Sequence, residues 1–212
     1  MSCSQCKGIE EQFDPKSAQG DLKGYRNKGL SKTTRWLVDA VSKDGVGGLS
    51  VLDIGGGVGM IQHSLLEGGA TKATHVDASQ AYIEVATEEA QRRNLAAQIT
   101  FHHGNFVELA PEIDSADIVT LDRVICCFDD MHALVKSSSE KALKYYGLVF
   151  PNDTWWIKLF FSIGNFFMGL GRGSFRVFIH PSDEVEQIIT SNGLKRDYYK
   201  RGLFWQVIVY TR

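Results

Sequence analysis

The residues with the clearest capacity for chemistry form a glycine-rich run. The segment VLDIGGGVG starts at Val51, places Asp53 two residues before Gly55, and adds further glycines at Gly57 and Gly59. Glycine lets a backbone turn sharply and approach a ligand closely. In an open parallel sheet, ligands bind beyond the carboxyl ends of the strands, where such a turn leads into a helix. The run therefore predicts a cofactor site, although a turn that only packs a helix on a strand has the same composition.

Polar residues at two later turns extend this candidate site. Asp77 lies 20 residues after Gly57, where a carboxylate can accept hydrogen bonds from both ribose hydroxyls of a nucleoside. We place Ala78 in the same cofactor-binding turn. Further along, the side-chain oxygen of Asn105 can accept a hydrogen bond from an adenine amino group. Phe106 beside it can stack on the ring or belong to the core.

A charged pair completes the series. Asp122 and Arg123 end the fourth predicted strand. Arg123 can pair with a cofactor carboxylate or with an internal acid. Spacing separates two cofactor classes, because the dinucleotide fingerprint G-x-G-x-x-G would need glycine where the chain has Met60. A nicotinamide oxidoreductase is therefore disfavoured.

The elements that position these residues alternate along the chain. Strand-like runs alternate with amphipathic helices, which predicts a parallel sheet covered on both faces. The closing segments 194–200 and 203–211 predict an antiparallel hairpin at Arg201-Gly202. Residues 1–44 are expected to form an arm with one short helix before residue 30. Residues 45–212 are expected to form the main domain, with an aromatic insertion at about 152–175. The predicted strands of the alternating part are 49–54, 74–77, 98–103, 117–122 and 146–151, and the predicted helices are 31–43, 60–69, 79–94, 131–144 and 182–193.

Composition narrows the class of protein. The chain has 212 residues and a net charge of -2, which disfavours a dedicated nucleic-acid binder. No signal peptide is visible, so we expect a reducing cytoplasm and free thiols. Cys3 and Cys6 could pair with Cys126 and Cys127 around a metal, but adjacent cysteines are not the usual ligand spacing. We therefore predict no metal site.

The order of these features resembles class I S-adenosylmethionine-dependent methyltransferases. Asp53, Gly55, Gly57 and Gly59 match their first motif, D/E-x-G-x-G-x-G, and the other polar residues follow at successive strand ends. The resemblance implies S-adenosylmethionine as cofactor. It also implies an α/β, three-layer, Rossmann-like fold with helices on both faces and an N-terminal helical arm. The expected sheet has seven strands in the order 3-2-1-4-5-7-6, the seventh antiparallel.

Residues 160–210 resemble one branch of that class, the magnesium protoporphyrin IX O-methyltransferases. The shared features are an apolar helix, a glycine-rich turn, the pattern R-x-x-x-H at Arg176 to His180, and a helix with an acidic start at Asp183. The family has His and Tyr after the fourth strand, where this chain has Cys126 and Cys127. The resemblance therefore implies the fold and the cofactor but does not carry over the porphyrin substrate.

The chemistry of methyl transfer limits what the acceptor can be. We expect methyl transfer to a hydrophobic, anionic small molecule, with an oxygen acceptor favoured and no nucleic acid. A phenol or amine acceptor needs proton removal, whereas a carboxylate does not. His180 and Tyr25 are the candidate catalytic residues. The candidate substrate-binding residues are Cys126, Cys127, Trp155, Trp156, Arg172 and Arg176. A protein that binds S-adenosylmethionine without catalysis is the alternative.

The aromatic stretch 153–170 allows three interpretations. It can be a lid over a flat hydrophobic molecule, or a helix that lies in a membrane interface as a peripheral contact. It can also be a helix buried in the core or in a contact between subunits. The oligomeric state is not predicted.

Overall fold

A seven-stranded sheet forms the centre of the protein. The computed structural model describes residues 4–170 and 175–212, with side chains described for 8–167 and 175–212. The strand order is β3-β2-β1-β4-β5-β7-β6, and β7 runs antiparallel to both of its neighbours. The other pairs are parallel, so the predicted fold and strand order are confirmed. The strands are β1 Ser50–Ile54, β2 Lys72–Asp77, β3 Ile99–His103, β4 Ala116–Asp122, β5 Ala142–Pro151, β6 Lys195–Arg201 and β7 Trp205–Thr211.

Helices cover both faces of this sheet. Strand residues alternate between the two apolar layers, as a period of two requires. On β1, Val51 packs with α3 and α4, whereas Leu52 packs in the layer that contains α6, α7 and α9. The helices are α1 Ser4–Gln12, α2 Pro15–Lys28, α3 Lys32–Val41, α4 Met60–Glu67, α5 Gln80–Arg92, α6 Phe106–Leu109, α7 Met131–Glu140, α8 Trp155–Leu170 and α9 Ser182–Ser191.

The N-terminal arm contains more helix than the sequence predicted. Two helices, α1 and α2, precede residue 30, where we expected one short helix. The side chain of Asp14 caps α2 by accepting a hydrogen bond from the Ser17 amide, and Pro15 occupies its first turn. Its buried side chains are few, Ala18, Leu22 and Tyr25, spaced at helical intervals. So short an apolar stripe is easily missed in a polar segment.

The boundary between α7 and β5 also differs from the prediction. The helix ends at Glu140 and the strand begins at Ala142, although we expected helix near 131–144. Ala142 pairs with Ala116 of β4, and Tyr145 and Tyr146 are buried on opposite faces of the strand. Sheet pairing therefore overrides the helical pattern at these positions. Within the described part of the chain, no helix is both long and apolar enough to cross a membrane.

Candidate active site

A cavity of about 440 Å³ opens at the carboxyl ends of β1, β2 and β4. The glycine run, the turns after β2, β3 and β4, and parts of the N-terminal arm surround it. Most of the predicted cofactor residues therefore come together in one place, although they lie far apart in sequence. Those that line it are Asp53, Gly55, Gly57, Asp77, Ala78, Asn105, Phe106, Asp122 and Arg123.

The glycine loop follows a path that side chains would block. Gly55 and Gly57 have φ angles of +61° and +57°, which L-residues rarely adopt. A Cβ atom on Gly55 would lie 2.5 Å from Val124 Cγ2. The loop is tied to the sheet because the Gly55 amide donates to the Val76 carbonyl at 2.7 Å. This close approach leaves room for a ligand on the outer side of the loop.

Two buried histidines support the loop from below. A Cβ atom on Gly56 would lie 2.6 Å from the His75 ring, and one on Gly59 would lie 2.7 Å from His63. Burial lowers the pKa of His75 to about 3 and that of His63 to about 4, so both rings are neutral at pH 7. Gly59 starts α4 and does not line the cavity. The close His63 ring, rather than a direct cofactor contact, therefore accounts for a glycine at position 59.

Asp77 faces the cavity with a fixed carboxylate. Its Oδ1 accepts a hydrogen bond from the Ser79 amide at 2.9 Å, and its Oδ2 accepts one from the Gly57 amide at 3.0 Å. Each oxygen keeps a further lone pair for a hydroxyl donor. Burial raises the pKa of Asp77, although the two amide contacts oppose the shift. The group suits a ligand that presents neighbouring hydroxyls, such as a ribose.

Asp53 has a different environment on the floor of the cavity. Its Oδ1 accepts a hydrogen bond from Thr120 Oγ1 at 2.8 Å, whereas its buried Oδ2 finds no partner among the described residues. Burial, followed by the nearby charges of Asp122 and Asp77, raises the pKa of Asp53 to about 7. An unsatisfied buried carboxylate oxygen is costly, so this atom is a candidate ligand contact.

The turn after β4 carries the charged pair. Asp122 Oδ2 accepts a hydrogen bond from Thr34 Oγ1 at 2.5 Å, and its Oδ1 has no hydrogen-bond donor within the described residues. Burial raises the pKa of Asp122. Arg123 has a φ of +63°, uncommon for a non-glycine residue, and donates to Ser31 and Thr33 at the start of α3. Arg123 therefore joins the arm to the cavity wall.

Asn105 and Phe106 form the wall beyond β3. The Asn105 side-chain oxygen accepts a hydrogen bond from the Val107 amide at 3.0 Å and caps α6. This oxygen still has a lone pair for a ligand amino group. Phe106 is buried, lines the cavity and also packs in the core, so both interpretations of this residue apply.

The two adjacent cysteines lie at the far end of the cavity, beyond Arg123. Their sulfur atoms are 3.9 Å apart, and both thiols approach the Arg123 carbonyl. The neighbouring thiol of Cys127 and burial raise the pKa of Cys126 well above its usual range. Cys126 is therefore a neutral thiol and a poor nucleophile at pH 7.

The two predicted catalytic residues lie outside the cavity. Tyr25 is buried between α2 and α4, where its ring stacks on His63 with centroids 6.3 Å apart and lies beneath Arg93. His180 Nε2 donates to the carbonyls of Ile125 and Phe128 at 2.9 and 3.1 Å. Neither residue lines the cavity. Hydrogen bonds and packing direct both side chains away from the cavity, and their catalytic roles stay predictions.

Three predicted substrate residues, Trp155, Trp156 and Arg176, are not among the residues that line the cavity. Trp155 is 77% exposed, and Trp156 packs edge-on against Phe204. Arg176 Nη1 donates to the Phe175 carbonyl at 2.6 Å. Arg172 and Cys3 lie outside the described residues, as does the side chain of Cys6. Within the described side chains, no group of three or more His, Cys, Asp or Glu residues could hold a metal.

Other residues form the apolar end of the cavity. Phe13 follows α1 and packs edge-on against Tyr82 and Phe175, with ring centroids 5.7 and 5.6 Å away. Phe161 of α8 and Val177 contribute from the aromatic insertion. No sequence motif marks these positions, and hydrophobicity is their only signal in the sequence. Further lining residues that we missed are Ile9, Asp21, Val58 and Trp205.

Comparison with known proteins identifies the class. Residues 51–146 match the family model described as a methyltransferase domain. These residues carry a methyltransferase domain. The predicted cofactor, S-adenosylmethionine, is the one with which a methyltransferase of the same fold has been solved, as SAM or as its product SAH. The glycine cradle, the fixed Asp77 carboxylate and the unsatisfied oxygens of Asp53 and Asp122 fit such a nucleoside ligand.

Solved structures show that the methyltransferase domain and its additions form a known fold. The magnesium protoporphyrin IX methyltransferase ChlM from Synechocystis PCC 6803, solved with bound SAH, has a TM-score of 0.75 and 20% identity, covering 98% of this chain and 99% of that one. An O-methyltransferase family protein from Burkholderia thailandensis has a TM-score of 0.70 and 16% identity, covering 95% of this chain and 61% of that one. The predicted resemblance to the first family is thereby confirmed.

A curated sequence relative matches the methyltransferase domain only in part. The ribosomal protein arginine N-methyltransferase rmt3 of Schizosaccharomyces pombe is 29% identical over 109 residues. The match covers 50% of this chain and 20% of that protein. It supports the domain assignment and leaves the acceptor open.

Proposed function

We propose that the protein transfers a methyl group from S-adenosylmethionine to the carboxylate of a lipophilic small molecule. The observation that carries this proposal is the apolar lining at one end of the cavity, to which the described residues contribute no histidine. A phenol or an amine must lose a proton during methyl transfer, and a histidine is the usual acceptor of that proton. A carboxylate is ionised at pH 7 and needs no base. O-methylation of an acid therefore requires only alignment of the two reactants.

The two ends of the cavity support different ligands. The end near the glycine loop has the carboxylates and backbone amides that suit a nucleoside. The other end is lined by apolar and sulfur-containing side chains, which include Phe161, Phe175 and Cys126. Apolar walls bind flat or aliphatic groups and exclude water from the reaction.

The described cavity wall carries little positive charge. Arg123 is the cationic residue among the described lining residues. Its guanidinium donates to Ser31 and Thr33, and its Cζ atom lies 5.3 Å from the centroid of the Trp205 ring. Its Nε also lies 3.6 Å from Asp122 Oδ1, so this internal ion pair takes up part of the positive charge that an acceptor carboxylate would meet. S-adenosylmethionine supplies the activated methyl group, and the chain's own residues orient the acceptor.

An acceptor panel with radiolabelled S-adenosylmethionine tests this proposal. Each aromatic or porphyrin-like scaffold is supplied as a carboxylic acid, as its phenol counterpart and as its amine counterpart. We expect label in a base-labile methyl ester for the acids and little for the other two series. Transfer to phenols or amines alone would overturn the carboxylate assignment.

Two controls complete the experiment. A Gly57→Val variant cannot adopt the loop conformation and should lose transfer to every acceptor. The arginine-rich domain of a ribosomal protein tests protein methylation, because the curated relative is named for that reaction. Binding of S-adenosylhomocysteine without transfer to any acceptor would support a binding protein without catalysis.

A further inference from the structure

Exposed hydrophobic side chains are concentrated on one part of the molecule. The described part of the chain exposes nine large hydrophobic side chains, and six of them lie on α8. A seventh, Leu203, lies at the tip of the β6–β7 hairpin, which contacts α8 through Phe204. We call these seven residues the aromatic patch; they are Trp155, Leu159, Phe160, Ile163, Phe166, Phe167 and Leu203, each at least 50% exposed.

Helical geometry separates α8 into three sides. Successive residues rotate by about 100°, so the six exposed side chains occupy an arc of about 140°. The opposite side carries Ile157, which is fully buried, and Phe161, which lines the cavity. The third side carries Lys158 and Asn165, whose amide bonds both backbone groups of Val177. The helix is thus fixed to the protein by its inner side while its outer apolar side faces solvent.

The charged side chains on α8 itself and next to the hairpin tip are basic. Lys158 is the one charged residue of α8 and is exposed at the border of the apolar arc. Arg201, also exposed, precedes the hairpin tip that carries Leu203. A lysine in this position can extend its methylene chain along the apolar surface and place its ammonium group beside lipid phosphates. This occurs on a chain with a net charge of -2, so the basic border is a local feature.

We propose that the aromatic patch docks the protein on the surface of an anionic phospholipid bilayer. A helix with Trp and Phe on one side and a basic border lies in the interface plane and inserts only its apolar side. The opposite side of the same helix lines the cavity, so docking brings the apolar end of the cavity to the membrane surface. This last step rests on the proposed function, since a lipophilic acid partitions into the same bilayer. The docking itself does not depend on the proposed function.

Vesicle binding by the full chain, without acceptor, tests the docking. Flotation is measured with phosphatidylcholine vesicles and with vesicles containing about one-third phosphatidylglycerol. We expect the protein to float with the anionic vesicles more than with the neutral ones. The triple variant Trp155→Ser, Phe160→Ser, Phe167→Ser should bind anionic vesicles at least about tenfold more weakly. Equal binding by this variant, or no binding by the wild-type chain, would overturn the proposal.

Matched variants distinguish docking from other effects. Leu143→Ser with Tyr199→Ser removes the two exposed hydrophobic residues outside the patch and should leave vesicle binding unchanged. Lys158→Glu with Arg201→Glu keeps the apolar arc and should abolish the preference for anionic vesicles. Calorimetric binding of S-adenosylhomocysteine shows that each variant is folded. Light scattering tests the competing possibility that the patch forms a dimer contact. A wild-type dimer that becomes monomeric in the triple serine variant, together with no vesicle binding by the wild type, would also overturn the proposal.

Discussion

Asp53 and Asp77 face the same cavity but are held by different hydrogen bonds. Asp77 accepts hydrogen bonds from two backbone amides, which fix both oxygens and favour its ionised form. Asp53 has one hydroxyl donor and one unsatisfied oxygen, and its pKa is raised to about 7. We therefore expect Asp77 to affect ligand binding and Asp53 to affect how stability depends on pH.

Replacing Asp77 should weaken cofactor binding. We expect Asp77→Ala to cost about 1.5–3 kcal/mol in the binding of S-adenosylhomocysteine, the scale of a hydrogen bond to a charged group. Isothermal titration calorimetry measures the change. Asp114→Ala, at an exposed position in the loop before β4, is the control and should bind like the wild type. An unchanged affinity in Asp77→Ala would show that this carboxylate does not hold the ribose.

Asp53 should make stability depend on pH. The ordinary pKa of the carboxyl is 3.8, and the folded state raises it to about 7, so between these values the folded state binds more protons than the unfolded state. The free energy of unfolding should therefore fall as pH rises from about 4 to about 7 and then level off. In Asp53→Asn this contribution is absent. Urea unfolding at several pH values should show that the free energy of unfolding of the variant rises relative to that of the wild type across that window. A difference that stays constant with pH would contradict the assignment.

At the scale of elements, the segment after α8 is held against the cysteine turn. Phe178 donates its amide to the Cys126 carbonyl at 2.7 Å, and His180 bonds the carbonyls of Ile125 and Phe128. The R-x-x-x-H pattern was predicted to supply a base. We propose that His180 instead positions the turn that carries the two cysteines, because the carbonyls that it contacts flank them.

Variants of His180 separate a positioning role from a catalytic one. His180→Ala leaves two carbonyls without their donor and should lower the free energy of unfolding by about 1–3 kcal/mol. His180→Gln keeps an N–H donor and should recover part of this loss, whereas it could not replace a general base. Urea unfolding and the pH dependence of transfer are the measurements. The exposed His132→Ala is the control. Full stability in His180→Ala, with loss of one ionisation from the pH profile, would restore the catalytic interpretation.

The N-terminal arm closes the cavity through a residue that the sequence did not indicate. Phe13 contacts Tyr82 and Phe175, and its carbonyl accepts a hydrogen bond from Ser79 Oγ at 2.7 Å. We expect Phe13→Ala to weaken S-adenosylhomocysteine binding by about 1–2 kcal/mol, through the loss of buried aromatic area, and to speed its dissociation. Stopped-flow and calorimetry measure both effects. Glu10→Ala, exposed on the same arm, should change neither, and wild-type kinetics in Phe13→Ala would exclude the arm from the site.

At the scale of the whole molecule, local patterns predicted the parallel sheet and the glycine loop. Gly55 and Gly57 meet a requirement of the local backbone, which has positive φ angles there, so a single segment of sequence that begins near Asp53 is enough to recognise the loop. The acceptor end was not predictable in this way. Phe13, Phe161 and Phe175 come from three distant segments, and only tertiary packing brings them together. The positions of Tyr25 and His180 likewise depend on partners that lie far away in sequence.

The central claim is that the glycine-loop cavity binds the nucleoside of S-adenosylmethionine. The most direct measurement is calorimetric titration of the full chain with S-adenosylhomocysteine and, separately, with NAD. The account predicts saturable binding of one S-adenosylhomocysteine per chain and no binding of NAD, with the first lost in Gly57→Val. Saturable binding of NAD without binding of S-adenosylhomocysteine would contradict it.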